Sequence, residues 1–254
     1  MTQEIVLRAE GICKHFAGIR ALEDAELTLR KGEVHALVGA NGAGKSTLIK
    51  IITGAYNKDK GKIFINGKET EIHNTIDARK KGISAVYQEF SLFNHLTVGE
   101  NIYMGKFPNG KIPGKIDWKR VNSDAQKYLD LIDTPIDPKE KVGDLSVGQK
   151  QLVEIAKALS NQSNVLILDE PTAALTDNDI EGLFSVIRNL RSQGISMIYV
   201  SHRLEELPQI ADTVSVYRDG HYIKTMPTAE APKPVIIENM VGKAYVPTER
   251  EDYT

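Results

Sequence analysis

The sequence is poor in cysteine: Cys13 is the only one among 254 residues. That excludes an internal disulfide and a multi-cysteine zinc site, and it fits a reducing compartment, with the cytoplasm as the natural expectation. A net charge of either sign is also missing, because 32 Lys and Arg stand against 34 Asp and Glu for a formal charge of -2. No overall basic field exists to attract nucleic acid, which is therefore not an expected partner. The local run Arg79-Lys80-Lys81 reads as a solvated helix end. No stretch approaches the ~18 consecutive apolar residues of a spanning helix, and the opening MTQEIVLRAEG has no apolar core of signal-peptide length. Any membrane role is expected to be peripheral. With 41 % apolar residues, the chain can still bury the core of one large domain or two small ones.

Ile5 to Leu7 and Ala25 to Leu29 read as strands, and Lys62 to Lys68 as a hairpin turned at Asn66-Gly67. Val34 to Val38 is a short apolar run that passes into glycines and then into a helix, Lys45 to Ile52, stopping near Gly54. The character changes between residues 89 and 164. A Pro/Gly-rich stretch, Gly105 to Gly114, precedes a helix with Val121, Ala125, Tyr128, Leu129 and Ile132 on one face; Trp118 begins that helix as a packing residue. A second helix follows Ser146, carrying Leu152, Ile155, Ala156 and Leu159. An α/β pattern then resumes with the strand Val165 to Leu168, a helix through Ile180 to Leu190, and the strand Ile195 to Val200. Thr213 to Thr225 reads as a closing hairpin around Asp219-Gly220, and the Pro-rich run Met226 to Pro234 as a linker to a short terminal helix.

Three motifs carry chemistry. Gly39, Ala40, Asn41, Gly42, Ala43, Gly44, Lys45, Ser46 and Thr47 match G-x-x-x-x-G-K-[ST] between a strand and a helix. Glycines let the backbone aim several N–H groups at a β-phosphate, and the helix N-terminus adds partial positive charge. Lys45 would neutralise the β- and γ-phosphates of ATP, and Ser46 would offer its hydroxyl to Mg²⁺. Val165-Leu-Ile-Leu-Asp-Glu170 sets two carboxylates at the end of a buried strand, Asp169 to hold Mg²⁺ and Glu170 to orient the attacking water. Leu145-Ser-Val-Gly-Gln149 makes a helix start, with Ser146 as N-cap and Gln149 completing a capping box.

The phosphate loop, Tyr87-Gln88-Glu89, LSVGQ, LILDEPT and Val200-Ser201-His202 follow one another in the order of the ATP-binding-cassette (ABC) ATPases, which the sequence resembles over nearly its whole length. Leu92 to Asn101, Ile116-Asp-Trp118 and Val153 to Leu159 bring it nearest to the N-terminal half of the ATP-binding subunits of bacterial ribose, galactose, arabinose and xylose importers. The resemblance implies an α/β P-loop NTPase (RecA-like) core, about 1–88 and 165–225, with an antiparallel β subdomain, a helical subdomain inserted at about 89–164 and a tail at 226–254. It implies a head-to-tail sandwich in which Ser146, Gly148 and Gln149 of one ABC domain serve the γ-phosphate held by another. Gln88 would sense Mg²⁺ and γ-phosphate, His202 would contact the γ-phosphate, and Phe16 would stack on adenine. Implied partners are membrane-spanning permease subunits, a second ABC domain and, indirectly, an external sugar-binding protein, with the chain on the inner face of the cell membrane. Importers of this type commonly join two cassettes in one chain, which leaves room for this one being the first half of a tandem.

Two positions depart from the family pattern. Val147 stands where the signature has glycine, and Thr176 stands where the loop after the glutamate has aspartate, although Thr176 with Asp179 still makes a helix cap. A soluble cassette acting on nucleic acid or ribosomes is the alternative. The features of such relatives, among them zinc cysteines, a long coiled coil and paired cassettes with basic linkers, are not seen in this sequence. A small-molecule kinase would leave LSVGQ and His202 unexplained.

Overall fold

The computed structural model describes residues 4–110 and 114–242. It begins with two long antiparallel strands, β1 (Ile5–Phe16) and β2 (Ile19–Arg30). Only their ends were legible as strands, because bulges between Ala9 and Ile12 and between Ile12 and Lys14 break the apolar alternation while the ladder continues through them. Next come β3 (Val34–Val38), α1 (Lys45–Ile52), and the hairpin β4 (Lys60–Ile65) and β5 (Lys68–Glu69), turned at Asn66 and Gly67 as expected.

The helix end expected at Arg79 to Lys81 closes α2 (Thr75–Lys80), whose start was not read, and a second short helix, α3 (Val98–Ile102), went unforeseen; the two lie on either side of β6 (Ile83–Val86). Neither is long enough to show a period, and their caps define them instead. Asn74 accepts from the N–H of Asp77, and Thr97 and Glu100 form a reciprocal box. Helices α4 (Trp118–Leu131) and α5 (Val147–Leu159) follow, then β7 (Val165–Asp169), α6 (Asp177–Ser192) and β8 (Ser196–Val200). Trp118 packs edge-on against Phe107, with ring centroids 5.7 Å apart. The chain ends with α7 (Leu207–Ile210), β9 (Thr213–Arg218), β10 (His221–Pro227) and α8 (Lys233–Val241). The expected linker at Met226 to Pro234 is largely structured: β10 runs to Pro227, and Pro234 sits in the first turn of α8, where a missing N–H has no partner to lose. Residues 111–113 of the Pro/Gly-rich stretch and 243–254 of the tail lie outside the described residues.

Among the described residues ten strands join one sheet, in the order β5-β4-β1-β2-β10-β9-β3-β8-β7-β6. From β9 to β6 every neighbouring pair is parallel, so five strands end on the same edge. In the sheet ladder the antiparallel limb joins this block through β10, whose pairing with β2 is the single couple His221 and Glu23. The strands β3 and β8 are buried at every residue, as a sheet covered on both faces requires. One face, with Val34, Ala36, Val38, Leu166 and Leu168, packs with apolar residues of α4, α5 and α6. The other, with Leu37, Ile167, Ile198 and Val200, packs with α1 and the inner face of the antiparallel limb. Among the described residues no helix is long and apolar enough to cross a membrane.

Candidate functional site

The parallel strands deliver the separate motifs to one edge. β3 ends in the phosphate loop, β6 ends before Gln88, β7 ends at Asp169, and β8 ends before Ser201 and His202. This carboxyl edge is where open α/β sheets bind ligands.

Gly44 is the N-cap of α1 with φ 97°, and a Cβ there would lie 2.6 Å from Leu22 Cδ2 and 2.9 Å from the Ala21 carbonyl. Any other residue would meet both a strained backbone and the neighbouring strand. Lacking a side chain, Gly44 supplies no cap, so the first-turn N–H groups of α1 have no side-chain acceptor. Lys45 is only 7 % exposed and donates to the carbonyls of Gly39 at 2.7 Å and Ala40 at 3.1 Å. Burial lowers its pKa, opposed by the carboxylates of Glu170 and Asp169. A helix N-terminus and a buried ammonium share one turn, an arrangement that favours an arriving anion. Ala40, Asn41, Gly42 and Ser46 are exposed, Thr47 is half-buried, and Ala43 is buried against the limb core.

Across the edge, burial and then the adjacent Glu170 raise the pKa of Asp169, with Lys45 opposing. Glu170 adopts φ 50°, a left-handed conformation that costs a non-glycine residue on the order of 1–3 kcal/mol. Its N–H donates to the Val200 carbonyl at 2.9 Å, tying the end of β7 to β8. His202, 57 % exposed, places Nδ1 3.3 Å from Glu170 Oε1. Gln88 is exposed just past β6. Lys45, Asp169, Glu170 and His202 are thus neighbours, drawn from three strand ends.

Phe16 is not core: it is exposed at the end of β1, edge-on to Tyr56 at 5.2 Å, with Lys14 Nζ 5.3 Å from the ring centre. Ser146 and Gln149 form the full capping box, Ser146 N–H donating to Gln149 Oε1 at 2.9 Å and Gln149 N–H to Ser146 Oγ at 3.2 Å. The Gln149 N–H, expected as a phosphate donor, is therefore already engaged, whereas Ser146 and Val147 are exposed. Gly148 is buried beneath α6, where a Cβ would strike Asp179 Oδ1 at 2.3 Å. Gly39 and Gly44 of the phosphate loop lie against β9, β2 and the β9–β10 turn, whereas Gly148 lies against Asp179 of α6. Thr176 caps α6 reciprocally with Asp179, as its spacing implies.

Glu206 belongs to none of the sequence motifs. This buried carboxylate receives hydrogen bonds from Thr172, Tyr199 and Ser201 directly behind Glu170 and His202.

Residues 22–173 match the family model described as ABC transporter. The chain is 48 % identical to a xylose import ATP-binding protein of Geobacillus kaustophilus (strain HTA426) over 95 % of its own length and 48 % of the relative's. It is 45 % identical to a ribose import ATP-binding protein of Clostridium perfringens (strain SM101 / Type A), over 94 % of this chain and 48 % of that one. The chain thus spans about half the length of the curated relatives it matches. Among solved structures, a nucleotide-free ATP-binding cassette from an ABC transporter aligns with TM-score 0.82 at 28 % identity, over 94 % of this chain and 100 % of that one. The ADP conformation of such a cassette aligns equally well, with TM-score 0.82 and 28 % identity over 94 % and 99 %. With a P-loop helix left uncapped, paired carboxylates at the end of β7 on the same sheet edge, and a family match over more than half its length, the chain belongs to the ABC transporter family and has the ABC ATPase fold.

Proposed function

We propose that this chain binds and hydrolyses Mg-ATP and couples closure around the nucleotide to uptake of a monosaccharide through separate permease subunits. The observation that carries the reading is the convergence of an uncapped helix N-terminus and buried Lys45 with Asp169, Glu170 and His202 on one sheet edge. Phosphoryl transfer asks mainly for such positioning and charge stabilisation. Gly39 to Thr47 hold the phosphates, Phe16 flanks the adenine, Glu170 orients the attacking water, and His202, set against Glu170, reaches the γ-phosphate. Ser46, Asp169 and Gln88 supply hard oxygen donors only. So small a protein donor set suits Mg²⁺, which keeps waters and phosphate oxygens among its ligands. Bound Mg²⁺ would offset charge on the β- and γ-phosphates.

The exposed donors at Ser146, with Gly148 and the remainder of that helix start, serve ATP held by a second ABC domain, either another chain or the other half of a tandem. Sugar import is supported by the xylose and ribose import names of the relatives. An external sugar-binding protein would then deliver the solute, with this chain on the inner face of the membrane. Residues 89–164, which carry α3 to α5, form the helical subdomain that receives the permease. Phe90 and Phe93 are exposed there, beside a cleft lined by Tyr87, Met104 and Lys106. Replacing Phe90 and Phe93 together by Glu should abolish sugar uptake by the assembled transporter while Mg-ATP affinity stays unchanged. Uptake at the wild-type rate would refute this docking surface, and a double variant that fails to fold would show the two rings to be structural.

A further inference from the structure

Glu206 closes the one-turn 3-10 helix Leu204–Glu206, four residues beyond His202, and is 4 % exposed. Its Oε1 accepts from Thr172 Oγ1 at 2.7 Å, and its Oε2 accepts from the Tyr199 hydroxyl at 2.7 Å and Ser201 Oγ at 3.0 Å. The Arg203 guanidinium lies 3.4 Å from Oε1, and Ser201 Oγ in turn accepts the Arg203 N–H at 3.0 Å. All three hydroxyl donors are buried. Burial, and then the facing Glu206 carboxylate, push the Tyr199 phenol well above its usual range, so it serves as a donor throughout the working pH range. Although Glu206 is the N-cap residue of α7, its side chain does not cap that helix.

The donors come from two places that matter. Thr172 lies two residues after Glu170, whose left-handed backbone persists only where its surroundings over-determine it. Ser201 immediately precedes His202, and Tyr199 lies on β8 beneath it. The contact between Glu170 and His202 is itself partly exposed, and such contacts fix little alone. A buried carboxylate is no better for stability than an apolar residue of similar size, so a purely packing role does not account for one here. We propose that Glu206 is a positioning residue that locks the turn after Glu170 to the turn carrying His202, so that the two groups approach the γ-phosphate as one unit. This rests on the proposed hydrolysis at Glu170.

The cleanest cut is Thr172→Val, which keeps shape and removes the hydroxyl tether from the first turn, with Thr172→Ser as the rescue. Hydrogen–deuterium exchange of the nucleotide-free chain should become several-fold faster in both 170–176 and 201–206, return to the wild-type rate in Thr172→Ser, and stay unchanged in β3. Turnover at saturating Mg-ATP should fall about tenfold at unchanged KM. In a His202→Ala background, Thr172→Val should add little, because both changes undo the same arrangement. Exchange that is unaltered at 201–206, or faster throughout the sheet, would overturn the proposal, as would fully additive effects with His202→Ala. If the wild-type chain shows no turnover even when a second ABC domain able to pair with it is supplied, the hydrolysis reading fails by itself, and the exchange comparison still decides whether the tether exists.

Discussion

The N-termini of α1 and α5 both reach solvent, and the chain treats them in opposite ways. At α1 the N-cap is Gly44, which leaves the first-turn N–H groups without a side-chain acceptor beside the buried ammonium of Lys45. At α5 the N-cap is Ser146, which satisfies the helix start reciprocally with Gln149 and leaves only exposed donors at its rim. The first is an electrostatically incomplete receptor that an anion completes; the second is a finished structure able to lend donors to something outside the chain. One terminus stores the need for a ligand, and the other is stable while it waits.

The largest test of this contrast stops the chemistry and leaves both termini intact. Glu170→Gln keeps shape and hydrogen bonding but removes the carboxylate charge, so turnover should fall by about a hundredfold or more while ATP still binds. Light scattering should then show a dimer that depends on Mg-ATP, provided that two copies of this half can pair past Val147 and Thr176. Next, Lys45→Ala removes a buried charge-assisted contact from the open terminus alone. It should weaken Mg-ATP binding about ten- to hundredfold, corresponding to about 1.5–3 kcal/mol, measured by titration calorimetry. Unchanged affinity would contradict the assignment of the phosphate loop.

At the capped terminus the same kind of truncation should act on stability. Ser146→Ala should cost about 1 kcal/mol and lower Tm by about 2–4 °C, with the ATP affinity of the isolated chain unchanged. The smallest effect has the opposite sign. Burial holds the Lys45 pKa below its unfolded value, so the charged side chain destabilises the fold at pH values below its folded pKa, and that cost fades as pH rises through the unfolded value. Lys45→Met should therefore slightly raise the Tm of the nucleotide-free chain near neutral pH and reduce the further rise given by Mg-ATP.

The difference between the termini also shows what was legible beforehand. Gly44, Lys45 and the capping box of Ser146 and Gln149 are local patterns, and spacing alone identifies them. The strands β3 and β7 are runs of buried aliphatics leading into those motifs, so their type was equally plain. β1 and β2 were underestimated because their bulges destroy alternation without ending the ladder. Of α2 only the end at Arg79 to Lys81 was read, and α3 was missed, because five or six residues carry caps but no period. Spacing did not reveal that Glu206 gathers Thr172, Tyr199 and Ser201. The Glu206 contacts exist only once parallel pairing sets β7 beside β8.

In the proposed function, hydrolysis needs the open terminus of one ABC domain and the capped terminus of another. Its most direct test is ATP turnover per chain, with saturating Mg-ATP, as a function of protein concentration. Association buries charged phosphates and is favourable only when both sets of donors engage, so specific activity should be low in dilute solution and rise with concentration. Fast turnover at constant specific activity down to dilute monomer would contradict the shared site.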